Sequence, residues 1–144
     1  MGPFIRVRSP KFTILPGEEK ELVNQGVYGK ALCEYLTDKL RNRGYEVPFY
    51  CCEDWGWWVE LSGFLFAFGV CIYGTELEGG QLDLYVTDGA VGTRQWSWRR
   101  FRFVDTTEAV AKLHADLIAI FRADLEVQIL GADLDPRFIA DEAV

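Results

Sequence analysis

The spacing of hydrophobic and polar positions changes several times along the chain, and each change marks an element. Phe4 to Arg8 alternates, with Ile5 and Val7 on one face and Arg6 and Arg8 on the other, and Phe12 and Ile14 continue the pattern past Ser9-Pro10. Proline cannot donate to a central ladder, so this reads as a strand pair or one bent edge strand. Pro16-Gly17 ends it, and a polar, acidic connection runs to Gln25. Val27, Tyr28, Ala31, Leu32, Tyr35, Leu36 and Leu40 then recur at three- and four-residue spacing, the single apolar stripe of a helix. Lys39, Arg41 and Arg43 crowd its last turn, where cations favour the helix dipole, and Gly44 terminates it.

From Tyr45 to Val104 the pattern is strand after strand. Tyr45, Val47, Phe49 and Cys51 share a face, and Pro48 suggests an edge. Trp57, Val59 and Leu61 alternate with Trp58 and Glu60, and Ser62-Gly63 makes a turn. Phe64 to Tyr73 is nearly all apolar, as in a strand buried on both faces. A loop over 74–80 follows, and then Leu82, Leu84 and Val86 alternate with Asp83, Tyr85 and Thr87, predicting a half-exposed strand that turns at Asp88-Gly89. Trp96 and Trp98 fall in the opposite phase to Phe101 and Phe103, which one extra residue would restore, so a β-bulge is predicted at Arg99-Arg100. A second helix begins after Asp105, which with Glu108 resembles an Asp-led capping box, and its stripe (Val110, Leu113, Leu117, Ile120, Phe121, Leu125) extends it to about Leu130 and Gly131.

The order β-α-β-β-β-β-α predicts an α+β fold. It is read as a two-layer sandwich, with an antiparallel sheet of five to six strands and both helices packed on one face. Residues 1–131 form the single domain and residues 132–144 an acidic tail or docking arm. The opposite sheet face is expected to carry Trp58, Tyr50, Tyr85 and arginines from 94–102.

Composition narrows the class. With 49% hydrophobic and 15% aromatic residues over 144 positions, one domain with a sizeable core is expected and disorder of the body is excluded. No apolar run approaches the roughly 18 to 20 residues of a spanning helix, the start lacks a signal-peptide core, and Ile5-Arg6 continue a myristoylation signal poorly. A soluble, cytoplasmic protein is expected, with Cys33, Cys51, Cys52 and Cys71 as reduced thiols. Adjacent Cys51 and Cys52 would point to opposite faces of a strand, no C-x-x-C pair exists, and the lone His114 lies inside a helical apolar pattern, as a packed or surface imidazole. No metal and no cofactor are expected. The Gly26-to-Lys30 run lacks the spacing of a phosphate loop.

The net charge is −7, and its distribution matters more than its sum. Residues 1–60 hold eight basic and nine acidic groups, 61–104 four and four, and 105–144 three and nine, so the excess lies in the last forty. Such a region repels nucleic acid and anionic membranes and suits a basic protein partner. The bland alternative is a solvated helix face and a solubilising tail.

Three constellations carry the chemistry. Trp55, Trp57 and Trp58 with Trp96 and Trp98 would form an aromatic wall if their strands are neighbours, with Trp57 and Trp96 turned to the core. Arg94, Arg99, Arg100 and Arg102, interleaved with aromatics, could stack on rings or hold an anion, or instead pair across strands with Glu53, Asp54, Glu60 or Asp83. Glu53 and Asp54 beside Trp55 could act as acids, or simply form the turn before Gly56. No partner histidine, G-x-S-x-G or nucleophile-plus-base spacing accompanies them.

Size, acidity and dense tryptophan content make the chain similar in kind to small bacterial toxin-neutralising (immunity) proteins, a likeness that rests on no diagnostic motif. The expectation is a non-catalytic protein-binding domain that recognises a basic toxin or enzyme. The alternative is a small-molecule or anion-binding domain, or a minor enzyme, with a pocket between Glu53-Asp54-Trp55, Trp58 and Arg94, Arg99 and Arg100. A homo-oligomer through the exposed sheet face and tail is a third reading.

Overall fold

The computed structural model describes residues 3–90, 94–97 and 100–134. Its strands are β1 (Phe4–Arg8), β2 (Tyr50–Cys52), β3 (Trp57–Leu61), β4 (Phe68–Glu76), β5 (Leu82–Asp88), β6 (Arg94–Ser97), β7 (Arg102–Asp105) and β8 (Gln128–Leu134). Six of them form one antiparallel sheet in the order β2-β3-β4-β5-β1-β8, and β6 and β7 pair separately. With helices α1 (Glu18–Glu21), α2 (Lys30–Asn42) and α3 (Thr107–Ala123), the fold is α+β. No helix among the described residues is long and apolar enough to cross a membrane.

Strand alternation and register build the core. Trp57, Ile72, Val86 and Ile5 stand in one row across β3, β4, β5 and β1, with Val59 and Val70 beside them. All six are buried, and they join Leu32, Leu36 and Leu40 of α2 and Leu113, Leu117 and Phe121 of α3 in one cluster. Burying each such side chain is worth about 1.5–3 kcal/mol before entropy is counted, which is why the helices need a sheet to form on. Gly29 sets how closely α2 starts against that sheet. A Cβ there would lie 2.9 Å from Ile72 Cγ2 and 3.0 Å from Trp57 Cδ1. The helix stops at Asn42, and Gly44, at φ 93°, donates its N–H to the Arg41 carbonyl, the left-handed terminus a glycine accepts without strain.

Several expectations are corrected. β1 is not an edge strand: it ends at Arg8, before Pro10, and pairs with β5 on one side and β8 on the other. β5 is not half-exposed, because Asp83, Tyr85 and Thr87 are buried along with Leu84 and Val86 between them. Tyr50 stands on the core side, opposite Val59, and its hydroxyl donates to Glu34 of α2. The loop expected at 74–80 is shorter, since β4 runs to Glu76.

The predicted last strand is two strands. β6 and β7 form an antiparallel pair with Ser97 opposite Arg102, so the phase change marks a chain reversal rather than a bulge. Arg99 of the predicted bulge, like Trp98, lies outside the described residues. The second helix ends at Ala123 instead of near Leu130. Leu125, counted in its stripe, is fully exposed, and the chain returns as β8 along β1, past the boundary drawn at residue 131. Of the acidic tail, residues 135–144 lie outside the described residues. Thr106, not Asp105, is the N-cap of α3, while the Asp105 carboxylate accepts the Thr107 N–H at 2.8 Å.

Candidate functional site

The connection from β2 to β3 is closed by the Glu53 N–H donating to the Gly56 carbonyl at 2.7 Å, and Asn24 donates its side-chain amide to the Asp54 carbonyl. A Cβ on Gly56 would sit 2.4 Å from the Ile72 carbonyl oxygen, so only glycine lets this turn pass so close to β4. The turn delivers Trp55 edge-on to Trp58, with ring centroids 6.4 Å apart, and 5.4 Å from the Tyr73 ring. Phe4 extends the row, 6.0 Å from Tyr73.

Trp58 points away from the core row and lies flat on the sheet because its neighbours have no side chains. A Cβ on Gly69 would be 2.4 Å from its ring, and one on Gly89 2.1 Å. Its indole N–H donates to Glu60 at 3.0 Å. Trp57 turns inward as expected and is buried, whereas Trp55 is 37% exposed.

Carboxylates rim this aromatic corner. Glu53 accepts the Cys51 thiol at 3.4 Å, Glu60 accepts Trp58, and Asp54 is exposed. Among the described residues no ion pair reaches Glu53, Asp54 or Glu60. Burial first, and the Glu53 bond second, push the Cys51 thiol up to about 11, and burial does the same for Cys71. Burial also raises the Tyr73 phenol. These groups stay neutral near pH 7, so the charge of the corner is that of its carboxylates.

The arginines expected opposite this corner are not joined to it within the described residues. Arg94 stands opposite Asp105 in the β6–β7 pair, and Arg100 is exposed, its N–H donating to Ser97 Oγ at 3.2 Å. No ion pair or cation–π contact links Arg100 to Glu53, Asp54, Trp55 or Trp58. Asp83, offered as a partner for these arginines, is instead held by β1. Arg6 donates to both of its oxygens at 2.8 Å, and Arg8 adds a bond at 3.4 Å. Seventy-seven positions separate Arg6 from Asp83, and only the β1–β5 register brings them together.

Sequence reading missed a second location. Asp88, Thr106, Thr107, Val110, His114 and Asp133 line a pocket of about 410 Å³. His114 Nε2 is 2.9 Å from Asp133 Oδ1, and Asp133 holds a left-handed φ of 57°. Burial raises the Asp88 carboxyl above its ordinary range. A single histidine in a helical stripe gave no signal, because its partner sits on a strand that was read as helix and tail. Pockets of about 340 and 520 Å³ lie elsewhere, and none of the three is lined by Glu53, Asp54, Trp55 or Trp58. Comparison of the chain with protein-family models, with curated proteins and with solved structures finds no match.

Proposed function

We propose that this is a non-catalytic, cytoplasmic protein-binding domain whose acidic, aromatic corner receives a basic segment of a partner, as a protein that neutralises a basic toxin or enzyme would. The observation that carries the reading is Trp55, 37% exposed and held against Trp58 and Tyr73, inside a rim of three carboxylates that no cation of the described chain pairs with. An arginine laid on that indole gains a cation–π contact of roughly 0.5–2 kcal/mol. A carboxylate about 4 Å away adds up to about 4 kcal/mol at an effective dielectric constant near 20, before desolvation and screening by salt.

Titration with a hexa-arginine peptide, followed by tryptophan fluorescence, tests this. Binding that weakens as salt is raised and is lost in W55A and in E53Q/D54N supports the corner. No binding at low salt, or binding indifferent to W55A, rejects it. The basic product of a neighbouring gene is the natural second probe.

The 410 Å³ pocket at His114 and Asp133 favours a second reading, a small-molecule site. The chain has one histidine, so its imidazole resonances assign themselves. Their displacement by a metabolite fraction, absent in D133A, supports that reading, and indifference rejects it.

A further inference from the structure

We infer that the cavity between α3 and the ends of β5 and β8 binds a small organic ammonium ion, with Asp88 receiving the charge and the apolar walls receiving the hydrocarbon body. The inference deepens the small-molecule reading of this pocket and rests on it. Two elements build most of the cavity. Thr107, Val110, Ala111 and His114 recur at three- and four-residue spacing on α3, so one face of the helix lines it. Leu84, Val86 and Asp88 share the core face of β5, and a row that begins with two fully buried apolar side chains ends on a carboxylate, opposite Val70 of β4. Pro3 and Ala90 complete the apolar wall. The volume of about 410 Å³ suits a small ligand, for which pockets run from about 300 to 1,000 Å³.

The charges of the cavity select the ligand. Its ionisable side chains are Asp88, Asp133 and His114, two carboxylates against one imidazole. His114 Nε2 lies 2.9 Å from Asp133 Oδ1, so that imidazole is already matched to a carboxylate. Asp88 accepts the Ala90 N–H at 3.1 Å, and among the described residues no ion pair reaches it. Burial, the largest cause, raises its carboxyl against the opposing effects of the Ala90 N–H and His114, as expected of a charge drawn from water without a cation to offset it. An anion would meet two carboxylates here. The start of α3 does not invite one either, because the Thr107 N–H is already bonded to Asp105. An ammonium ion supplies three donors and the missing positive charge, and a short alkyl body can lie against Val110 and Ala111.

Titration of the full chain with n-butylammonium, followed by the imidazole resonances of its one histidine, reads the outcome. Butyrate and n-butanol offer a comparable short body with the opposite charge and with none. The expected result is saturable displacement by butylammonium, binding at least about tenfold weaker for butanol, and none for butyrate. D88N should weaken butylammonium binding by more than about tenfold. V110F, which fills the apolar wall, should abolish it without changing any charge, with circular dichroism confirming the fold of both variants. Displacement indifferent to D88N, or butyrate or butanol bound as tightly as butylammonium, overturns the inference. If butanol or butyrate is the ligand that saturates the pocket, only the choice of ligand class has failed. If none of the three moves the imidazole resonances, the small-molecule reading of the pocket fails as well.

Discussion

Glu18 offers the sharpest test of how this fold is held. Its carboxylate is wholly buried, in the four-residue helix α1 that follows Gly17. One oxygen accepts the Leu15 N–H at 3.0 Å, and the other accepts the N–H groups of Gly29 and Lys30 at 2.9 and 3.1 Å. Gly29, the N-cap of α2, has no side chain with which to satisfy those donors, so a residue eleven positions earlier serves as the cap. Its negative charge also meets the positive end of the α2 dipole. Hydrogen bonds to a charged group are worth about 1.5–3 kcal/mol each, and a buried donor left unsatisfied costs about 1–3 kcal/mol. Three donors set an upper bound near 9 kcal/mol, and entry of water into the vacated space reduces it, so E18A should cost about 3–5 kcal/mol. E18Q keeps one carbonyl oxygen for α2 but turns an amide N–H₂ toward a donor, so about 1–3 kcal/mol is expected. Since such domains hold only about 5–15 kcal/mol in total, E18A should move the urea midpoint far enough to measure without ambiguity. Equilibrium unfolding in urea, read by tryptophan fluorescence, is the assay. An E18A protein within about 1 kcal/mol of wild type would refute the view that a buried carboxylate organises the start of α2.

Three further outcomes follow from the same geometry. G89A should cost about 1–3 kcal/mol by displacing the Trp58 ring, and much of that cost should vanish in a W58A background; additive effects in the double-mutant cycle would disprove the contact. D83N should lose about 2–4 kcal/mol in thermal unfolding, because it leaves Arg6 and Arg8 without their shared carboxylate on a largely buried strand; an unchanged melting temperature would contradict this. A hydrogen bond from Lys11 holds the Asp124 carboxyl down to about 2, below the ~3.9 of an unfolded aspartate. Its stabilisation is therefore present above about pH 4 and lost as pH falls toward 2, so wild type and D124N should converge across that window, and a constant gap between them would refute the assignment.

Much of the fold was legible wherever local pattern and tertiary demand agree. The α2 stripe and its Gly44 stop, the alternation that turns Trp57 inward and Trp58 outward, and the antiparallel α+β class all follow from spacing. The corner was legible as a segment, but not as a surface. That Trp58 lies flat depends on Gly69 and Gly89, which come against its ring only once β3, β4 and β5 have paired.

What the chain decides by itself is which residues repeat at helix or strand period, because side-chain direction along a single element is a local property of the backbone. Tertiary structure decided the rest, wherever the partner is far away in sequence. The apolar pattern carries the second helix to about Leu130, yet residues 128–134 become a strand because β1 offers an open ladder more than a hundred positions earlier. Asp83 reads as a solvent-facing residue, yet it is buried because Arg6 and Arg8 arrive beside it to neutralise its charge. Trp96, Trp98, Phe101 and Phe103 show the same phase change whether the chain bulges or reverses, and only the pairing of β6 with β7 distinguishes the two. Local spacing sets the direction of a side chain, but burial and charge compensation belong to contacts that exist only once the sheet has closed.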